Sequence, residues 1–219
     1  MIAAAELTEA ALQLGVSLQG HQATQLITYL SLIQKWTKVY NLTAVRDPAE
    51  MVTHHLMDSL AAIAPLEKHL SGAGLTNAAS LLDVGSGAGL PGVVMAICCP
   101  NLAVTCVDTV AKKATFIKQV ALELRLPNLA GLHARVENID QPFDVICSRA
   151  FASLVDFTQW SGKALAPNGV WMAMKGKRPA EELAALPQGV DVFHVEQLLV
   201  PGLDAERCIV WMRRAGEEI

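Results

Sequence analysis

The spacing of apolar residues divides the chain into two parts that meet near residue 74. In the first part, apolar side chains recur every three or four residues, as on one face of an amphipathic helix. The clearest example runs from His21 to Tyr40. Its apolar stripe consists of Leu26, Leu30, Ile33 and Trp36. Residues 1–70 are therefore predicted to be helical.

A second helix is predicted to begin after Asp47, because aspartate is a preferred N-cap residue. Pro48 occupies the first helical position and Glu50 stands three residues after the cap, which is typical of a helix start. We expect this helix to reach about Ala64 and to end or bend at Pro65, because proline lacks a backbone donor.

From residue 80 the pattern changes to short β runs that alternate with helical stretches, after a Ser-Gly-Ala-Gly break at residues 71–74. The β runs are Ser80–Val84, Ala103–Asp108, Leu129–Ala134, Phe143–Ser148 and Val170–Met174. The helical stretches are Leu90–Cys98, Val110–Leu126 and Leu154–Leu165. This alternation predicts a parallel sheet with helices on both faces. Two final β runs, Asp191–Leu198 and Arg207–Arg213, have no helix between them and are predicted to be antiparallel neighbours.

A mostly parallel α/β sheet that ends in an antiparallel hairpin resembles the Rossmann-like fold of class I S-adenosylmethionine (SAM)-dependent methyltransferases. On this interpretation, residues 1–74 form an N-terminal helical extension packed on the core, and residues 75–219 form the methyltransferase domain. Such sheets bind ligands at the carboxyl ends of their strands. The functional residues are therefore expected at the strand ends.

A glycine-rich loop follows the first predicted strand. Gly85, Gly87 and Gly89 have the spacing GxGxG. Leu90 stands where the dinucleotide fingerprint has its third glycine. Asp83 precedes the loop, and its carboxylate suits the cationic sulfonium and amino groups of SAM but would repel a pyrophosphate. SAM is the predicted cofactor, with a plain turn, or NAD or another nucleotide, as the alternatives.

Asp108 ends the second predicted strand, 23 residues after Gly85. A carboxylate at this place can accept hydrogen bonds from both ribose hydroxyls of a bound nucleoside. NAD-binding folds use the same contact. Asp108 therefore predicts a nucleoside cofactor without choosing between SAM and NAD.

The next two strand ends are predicted to complete the cofactor pocket. Val136 and Glu137 suit the adenine end, with a turn and a surface ion pair as the alternative. Arg149 can order the methionine carboxylate or hold an acceptor, with a structural salt bridge as the alternative. Cys147 has no Pro-Cys motif and is interpreted as a buried strand residue. The segment also lacks a (D/N/S)PP(Y/F) motif, which argues against methylation of the adenine amino group.

Cationic side chains follow the fifth β run. Lys175, Lys177 and Arg178 place three cations within four residues. They can hold RNA phosphates, with a solvated turn as the alternative. His54 and Asp58 share one helix face, but a metal site would need a third ligand that the sequence does not offer. A capped or surface-paired histidine is predicted, and no metal.

Composition excludes several classes of protein. Apolar residues make up 52% of the chain and charged residues 17%, which excludes a disordered chain. No apolar run reaches the roughly 18 residues of a membrane span, and the first residues lack the cationic start of a secretion signal. The net charge of −4 is unlike that of a protein that coats nucleic acid, although residues 81–178 carry 10 Lys and Arg against 7 Asp and Glu. The five cysteines form no CxxC pair and are predicted to be free thiols in a reducing cytosol.

Several segments together carry a more specific resemblance. They are Lys35–Trp36, Tyr40–Thr43, His55–Leu60, Leu82–Gly92, Ser148–Leu154 and Lys175–Gly176. With these segments, the chain resembles the bacterial small-subunit rRNA methyltransferase G family from about Leu18 to Met212. It departs from the family pattern at His54, where relatives look to have arginine, and at Lys112-Lys113, where they have Lys-Arg. Both departures change the expected detail of RNA docking.

The resemblance implies a SAM-dependent enzyme that methylates N7 of a guanine in the 530 loop of 16S rRNA, at guanine 527. It implies cofactor contacts at Gly85, Leu90, Val136, Glu137 and Arg149, to which the loop and ribose arguments add Gly87 and Asp108. Lys175 is the expected contact to substrate RNA. No catalytic residue is assigned, because guanine N7 carries a lone pair and no proton and needs alignment rather than a general base.

The expected partner is 16S rRNA within the 30S subunit or a late precursor. We expect a cytoplasmic monomer without membrane contact. Two other interpretations remain open. One is a different enzyme on the same sheet, either a small-molecule methyltransferase or an NAD oxidoreductase. The other is a non-enzymatic RNA-binding or assembly factor that has kept the fold.

Overall fold

A seven-stranded sheet forms the centre of the protein in the computed structural model, which describes residues 2–216. In chain order the strands are β1 (Ser80–Val84), β2 (Ala103–Asp108), β3 (Leu129–His133), β4 (Phe143–Arg149), β5 (Leu165–Lys175), β6 (Val190–Leu198) and β7 (Arg207–Arg214). Their spatial order is β3-β2-β1-β4-β5-β7-β6.

The sheet is parallel except at one edge. β1 pairs in parallel with β2 and β4, β2 with β3, and β4 with β5. β7 is antiparallel to both β5 and β6. The predicted α/β sheet with an antiparallel hairpin is confirmed. The strand order reverses between β1 and β4, which is the point where such sheets bind ligands.

Helices cover the sheet. They are α1 (Ala4–Gln13), α2 (Gln22–Tyr40), α3 (Pro48–Met51), α4 (Asp58–Leu60), α5 (Ile63–Gly72), α6 (Gly92–Cys98), α7 (Ala111–Glu123), α8 (Leu154–Ser161) and α9 (Ala180–Ala184). A π-helical turn, Val52–Met57, joins α3 to α4. Two ends of the predicted segments lie outside the described residues. They are Met1 of the segment 1–74 and residues 217–219 of the segment 75–219. Within residues 2–216, no helix is long and apolar enough to cross a membrane.

Two hydrophobic clusters fill the two faces of the sheet. The larger cluster joins Leu26 and Leu66 of the N-terminal helices to Val104 of β2. The smaller cluster packs Phe157 of α8 near Ile146 of β4. Because α2 also contacts α6 and α7, the helices before residue 74 are held on the sheet by burial of apolar surface.

Pro65 neither ends nor bends a helix, so this prediction is wrong. The chain leaves helical geometry earlier, at Ala61 and Ala62. Pro65 lies in the first turn of α5. Backbone N–H groups in a first helical turn have no acceptor within the helix, so the missing donor of proline costs little there.

The observed bounds of the other helices and strands differ from the predicted bounds mainly around β5. The strand begins at Leu165, five residues before the predicted Val170. α9 was not predicted, and it places its acidic residues close to the end of β5. β1 and β2 have the predicted bounds.

Candidate active site

The glycine-rich loop after β1 has a backbone geometry that requires glycine. Gly85, Gly87 and Gly89 have φ angles of +66°, +59° and +91°, which residues with a Cβ atom rarely adopt. The N–H groups of Gly85 and Ser86 both donate to the carbonyl oxygen of Val107, at 3.0 and 3.2 Å. The loop is therefore fixed against the end of β2.

Tyr29 of α2 supports the same loop from the helical segment. Its buried hydroxyl group donates a hydrogen bond to the carbonyl oxygen of Ala88 at 2.7 Å. Burial raises the pKa of this hydroxyl well above its usual value, so it keeps its proton at neutral pH. The two residues are 59 positions apart, and the sequence carries no signal for this contact.

Asp108 connects the loop to the start of α7. Its Oδ2 accepts hydrogen bonds from the N–H of Gly87 at 3.0 Å and from Nζ of Lys113 at 3.4 Å. Its Oδ1 accepts one from the N–H of Val110 at 2.9 Å. Since each carboxylate oxygen has two lone pairs, Oδ2 is fully used by Gly87 and Lys113, whereas Oδ1 keeps capacity for one further hydroxyl group.

The ends of β1, β2 and β4 border a cavity of about 430 Å³, which we call the glycine-loop cleft. It is lined by Val84, Gly85, Val107, Asp108, Thr109, Val110, Lys113, Ala134, Arg135, Val136, Glu137, Ala150, Phe151 and Trp160. Four of the residues predicted to contact the cofactor line this cleft together. They are Gly85, Asp108, Val136 and Glu137.

The remaining predicted loop residues do not line this cleft. Gly87 reaches it through its hydrogen bond to Asp108. Leu90 is buried within the turn, where its N–H donates to the carbonyl oxygen of Ser86 at 3.1 Å. Both residues shape the loop.

Val136 and Glu137 form part of a 3₁₀ turn after β3. Val136 is buried and supplies apolar surface to the cleft. The Glu137 carboxylate lies 3.8 Å from the Arg135 guanidinium. The apolar cover and the surface ion pair, which were alternatives in the sequence, therefore occur together.

Phe151 lies directly against Gly85. A Cβ atom placed on Gly85 would be 2.3 Å from Cδ2 of Phe151, so only glycine leaves room for the ring. The ring also meets Trp160 edge-on, with centroids 5.8 Å apart. Ala150 has a φ of +52°, which is uncommon for a residue with a Cβ atom. The turn after β4 is thus shaped around the glycine loop.

A second cavity of about 400 Å³, which we call the Arg149 cleft, adjoins the first at Ala150. It is lined by Val45, His54, His55, Asp58, Arg149, Ala150, Met174, Lys175, Gly176 and Arg207. Arg149 lines this cleft and not the glycine-loop cleft. Its Nη1 donates to Asp58 Oδ2 at 2.7 Å and to the carbonyl oxygen of His54 at 2.9 Å.

Asp58 pairs with Arg149 and Arg207, not with His54 as the shared helix face suggested. His55 instead has the polar partner Thr43, whose Oγ1 lies 2.9 Å from Nε2. Burial, and then the positive charge of Arg149, lower the pKa of His55 to about 4. Within residues 2–216 no cluster of side chains suits a metal ion.

Lys175 is held by two acceptors. Its Nζ donates to Glu182 Oε2 at 2.8 Å and to the carbonyl oxygen of Ala152 at 2.9 Å. Lys177 and Arg178 are exposed. The run of three cations after β5 thus divides into one paired lysine at the cleft and two solvated residues.

The two lysines after β2 have separate roles. Lys113 pairs with Asp108. Lys112 lies over the ring of Tyr40, with its Nζ 5.2 Å from the ring centroid. The cation–π contact places a positive charge next to the exposed aromatic surface of Tyr40.

Asp83 is fully buried between β2 and β4, where its strand neighbours are Cys106 and Cys147. Its Oδ2 accepts a hydrogen bond from the N–H of Gly92 at 2.8 Å. Burial raises the pKa of Asp83 to about 7, while the Gly92 bond and the charge of Arg149 oppose the shift. The carboxyl group therefore titrates near neutral pH.

Replacing Asp83 by asparagine is expected to remove a pH dependence of stability. The folded protein keeps this proton up to about pH 7, whereas the unfolded chain releases it near the ordinary value of 3.8. The free energy of unfolding of the wild type therefore falls as pH rises between these values. At pH 8, we expect Asp83→Asn to unfold about 5 °C or more above the wild type, and at pH 4 the difference to be much smaller. Thermal unfolding without cofactor measures this, and parallel pH profiles of the two proteins would contradict it.

Solved structures with the same fold define the class of protein. TrmN from Thermus thermophilus matches with a TM-score of 0.54 at 19% identity, over 71% of this chain and 48% of that chain. Coclaurine N-methyltransferase, bound to N-methylheliamine and SAH, matches with a TM-score of 0.51 at 14% identity, over 90% of this chain and 75% of that chain. These matches show the fold. Together with the glycine loop and Asp108, they define the class of protein by its fold, which is that of the class I SAM-dependent methyltransferases.

Sequence comparisons then identify the family. A family model described as rRNA small subunit methyltransferase G matches residues 22–210. The Ribosomal RNA small subunit methyltransferase G of Polaromonas sp. strain JS666 is 75% identical over 200 residues, which cover 91% of this chain and 88% of that protein. The protein of the same name from Acidovorax sp. strain JS42 is 64% identical over 211 residues, covering 94% and 93%. The chain belongs to the rRNA small subunit methyltransferase G family, and the predicted resemblance and SAM-dependent rRNA methylation are confirmed.

Proposed function

We propose that this enzyme methylates N7 of guanine 527, in the 530 loop of 16S rRNA. The main support is the state of three titratable groups at the Arg149 cleft, which is also lined by His54. Asp58 is bonded to two arginines, Lys175 is bonded to Glu182, and His55 is neutral near pH 7. Such groups are poorly suited to remove a proton, and guanine N7 has no proton to lose. An acceptor that reacts through a free lone pair therefore fits this cleft.

The reaction requires alignment of the acceptor with the methyl group. When bound, SAM would supply the methyl group of its sulfonium with S-adenosylhomocysteine as the leaving group, so no proton transfer is needed. Ala150 lines both clefts, so we place the reacting atoms beside this residue. Holding two reactants in line can lower a barrier by about 7–11 kcal/mol. The guanine has to leave the RNA stack to enter the cleft, as bases do in other enzymes that modify them.

The glycine-loop cleft is the proposed place of the cofactor. Asp108 fits the ribose hydroxyl groups, and Val136 with Glu137 fits the adenine end. We place the methionine part past Gly85, toward Arg149. The support for this placement is that Gly85 and Asp108 line the cleft together and that Asp108 Oδ1 keeps one free acceptor site. Gly87 and Leu90 contribute by holding the turn of the loop.

The proposed substrate is the assembled 30S subunit or a late precursor, and the proposed enzyme is a cytoplasmic monomer. The net charge of −4 favours limited contact with RNA, so ribosomal proteins are expected to shape the target. We further propose that residues 1–74 act as a helical extension of a methyltransferase domain formed by residues 75–219.

Methyl transfer from radiolabelled SAM tests the proposed function. The substrates are naked 16S rRNA, and 30S subunits from a strain that lacks this enzyme. We expect label in the RNA of the 30S subunit, mapped as 7-methylguanosine at position 527. Label in naked RNA alone would contradict the 30S subunit as the substrate and would indicate an earlier precursor instead. Label at another nucleotide, or in neither RNA, would overturn the proposed target.

Replacing Lys175 by alanine is expected to weaken RNA binding about tenfold, which corresponds to about 1.4 kcal/mol. The change removes a cation from the Arg149 cleft and leaves Glu182 with the N–H of Leu154 as its remaining partner. SAM affinity should stay within about twofold, because Lys175 does not line the glycine-loop cleft. Filter binding and calorimetry measure the two affinities. Lys163→Ala is the matched control, since Lys163 pairs with Asp140 on the surface, and equal RNA affinity of both variants would contradict the prediction.

A further inference from the structure

A buried carboxylate joins two arginines at the Arg149 cleft. Asp58 is 2% exposed. Its Oδ2 accepts from Arg149 Nη1 and its Oδ1 from Arg207 Nε, both at 2.7 Å. The three residues come from α4, the end of β4 and the start of β7. One carboxylate therefore fixes guanidinium groups from two strands that are far apart in the chain.

The group carries an excess positive charge. Two guanidinium groups share the carboxylate of Asp58, whereas Lys175 is the one cation paired with Glu182 within the described residues. A guanidinium has five N–H donors. Arg207 uses Nε for Asp58 and one Nη1 donor for the carbonyl oxygen of Glu206, at 2.8 Å. Within the described residues, no acceptor engages its Nη2 atom, so donors remain for a ligand in the cleft.

The geometry points to an oxyanion ligand. An arginine whose Nε is fixed by a carboxylate presents its remaining donors as a rigid planar fork, which matches the oxygens of a phosphate. Since the enzyme acts on rRNA, the phosphodiester backbone is the anion that the substrate brings to this cleft. A carboxylate this close lowers the attraction for RNA. Its presence is therefore better explained by orientation than by charge, because ordering Arg207 in advance lowers the entropy cost of binding.

We propose that Arg207 binds a phosphodiester next to the base that enters the Arg149 cleft, and that Asp58 is its positioning residue. Asp58 holds two arginines at a fixed separation. Arg207 is the one that we place at the RNA, and Arg149 is the one toward which we place the methionine part of the cofactor. One side chain from the N-terminal helical segment thereby aligns the RNA in the Arg149 cleft with the cofactor in the glycine-loop cleft. This inference rests on the proposed function only for the identity of the base.

Arg207→Gln and Arg207→Lys test the phosphate contact. Arg213→Gln is the matched control, because Arg213 lies on the same strand and pairs with Asp191 outside both clefts. We expect Arg207→Gln to lower kcat/KM for 30S subunits at least tenfold, with SAM affinity within about twofold of wild type. The slope of log Kd for RNA against log salt concentration should fall by about 0.7. Arg207→Lys keeps the charge without the fork and should lie between wild type and Arg207→Gln.

Unchanged kcat/KM and an unchanged salt slope in Arg207→Gln would overturn the phosphate contact. RNA binding is measured with S-adenosylhomocysteine present, so it does not depend on methyl transfer. If the wild type binds 30S subunits but labels a nucleotide other than guanine 527, the proposed target fails while the Arg207 comparison still holds.

Asp58→Asn separates positioning from charge. The variant adds one unit of net positive charge, so a purely electrostatic role for this group predicts tighter RNA binding and an unchanged kcat. The positioning role predicts a kcat at least tenfold lower, with RNA affinity not improved. Thermal unfolding checks that the variant is folded. If it is not, Asp58→Glu, which keeps the charge and displaces the carboxylate, is judged on kcat, which must also fall for the proposal to stand.

Discussion

Replacing Asp108 by alanine is expected to weaken SAM binding by roughly 1.5–3 kcal/mol, the value of hydrogen bonds to a charged group. Two losses contribute to this effect. The ribose hydroxyl groups lose the acceptor that we propose for them, and the N–H of Gly87 loses its hydrogen bond to the carboxylate. Isothermal titration calorimetry of the folded variant measures the affinity directly, and an unchanged value would remove Asp108 from the cofactor site.

Asp108→Asn separates these two losses. The amide oxygen can still accept one of the backbone hydrogen bonds from Gly87 and Val110, while the negative charge is lost. We expect an affinity between wild type and Asp108→Ala. If both variants lose the same affinity, the charge dominates. If Asp108→Asn binds like the wild type, the acceptor geometry is sufficient.

Replacing Gly85 by alanine is expected to destabilise the protein by about 2–5 kcal/mol and to reduce SAM affinity at least tenfold. An alanine at a φ of +66° costs about 1–2 kcal/mol. The new Cβ atom would also lie 2.3 Å from Cδ2 of Phe151, and such overpacking costs roughly 1–3 kcal/mol. The displaced Phe151 ring lines the glycine-loop cleft, so the change reaches the proposed cofactor site. Thermal unfolding and calorimetry measure the two effects.

Gly74→Ala is the control for the backbone contribution. Gly74 has a φ of +71°, but a Cβ atom there has no neighbour within 4 Å. Its replacement should cost about 1–2 kcal/mol and leave SAM affinity unchanged. In the Gly85→Ala background, Phe151→Ala should recover part of the stability, because the two residues are in contact and their effects are not additive. Equal destabilisation by Gly74→Ala and Gly85→Ala would show that the Phe151 contact carries no cost.

Local sequence patterns were sufficient to predict the sheet and to locate the glycine loop and Asp108. The alternation of β runs with helical stretches predicted β1 and β2 with their observed bounds. The GxGxG loop and Asp108 could be located because their chemistry depends on a short stretch around two strand ends. The same reasoning failed at Pro65, where the pattern does not reveal that a new helix starts just before the proline.

The partners of the charged residues were beyond reach of the sequence. Arg207 is 149 positions from Asp58, and no motif marks it as a cleft residue. The titration of Asp83 near pH 7 depends on burial between two strands that are distant in the chain. Lys175 was recognised as a cation at a strand end, but its pairing with Glu182 depends on a short helix that the pattern did not show.

Hydrophobic periodicity and glycine spacing determine which elements form and which side of each element is buried, because these properties act over a few residues. They therefore settle the α/β class, the glycine loop and the position of Asp108. Which elements become neighbours depends on how the chain crosses the sheet and on where the helical segment packs. That packing brings Tyr29 beneath the loop and Asp58 between Arg149 and Arg207, and it joins the two clefts at Ala150.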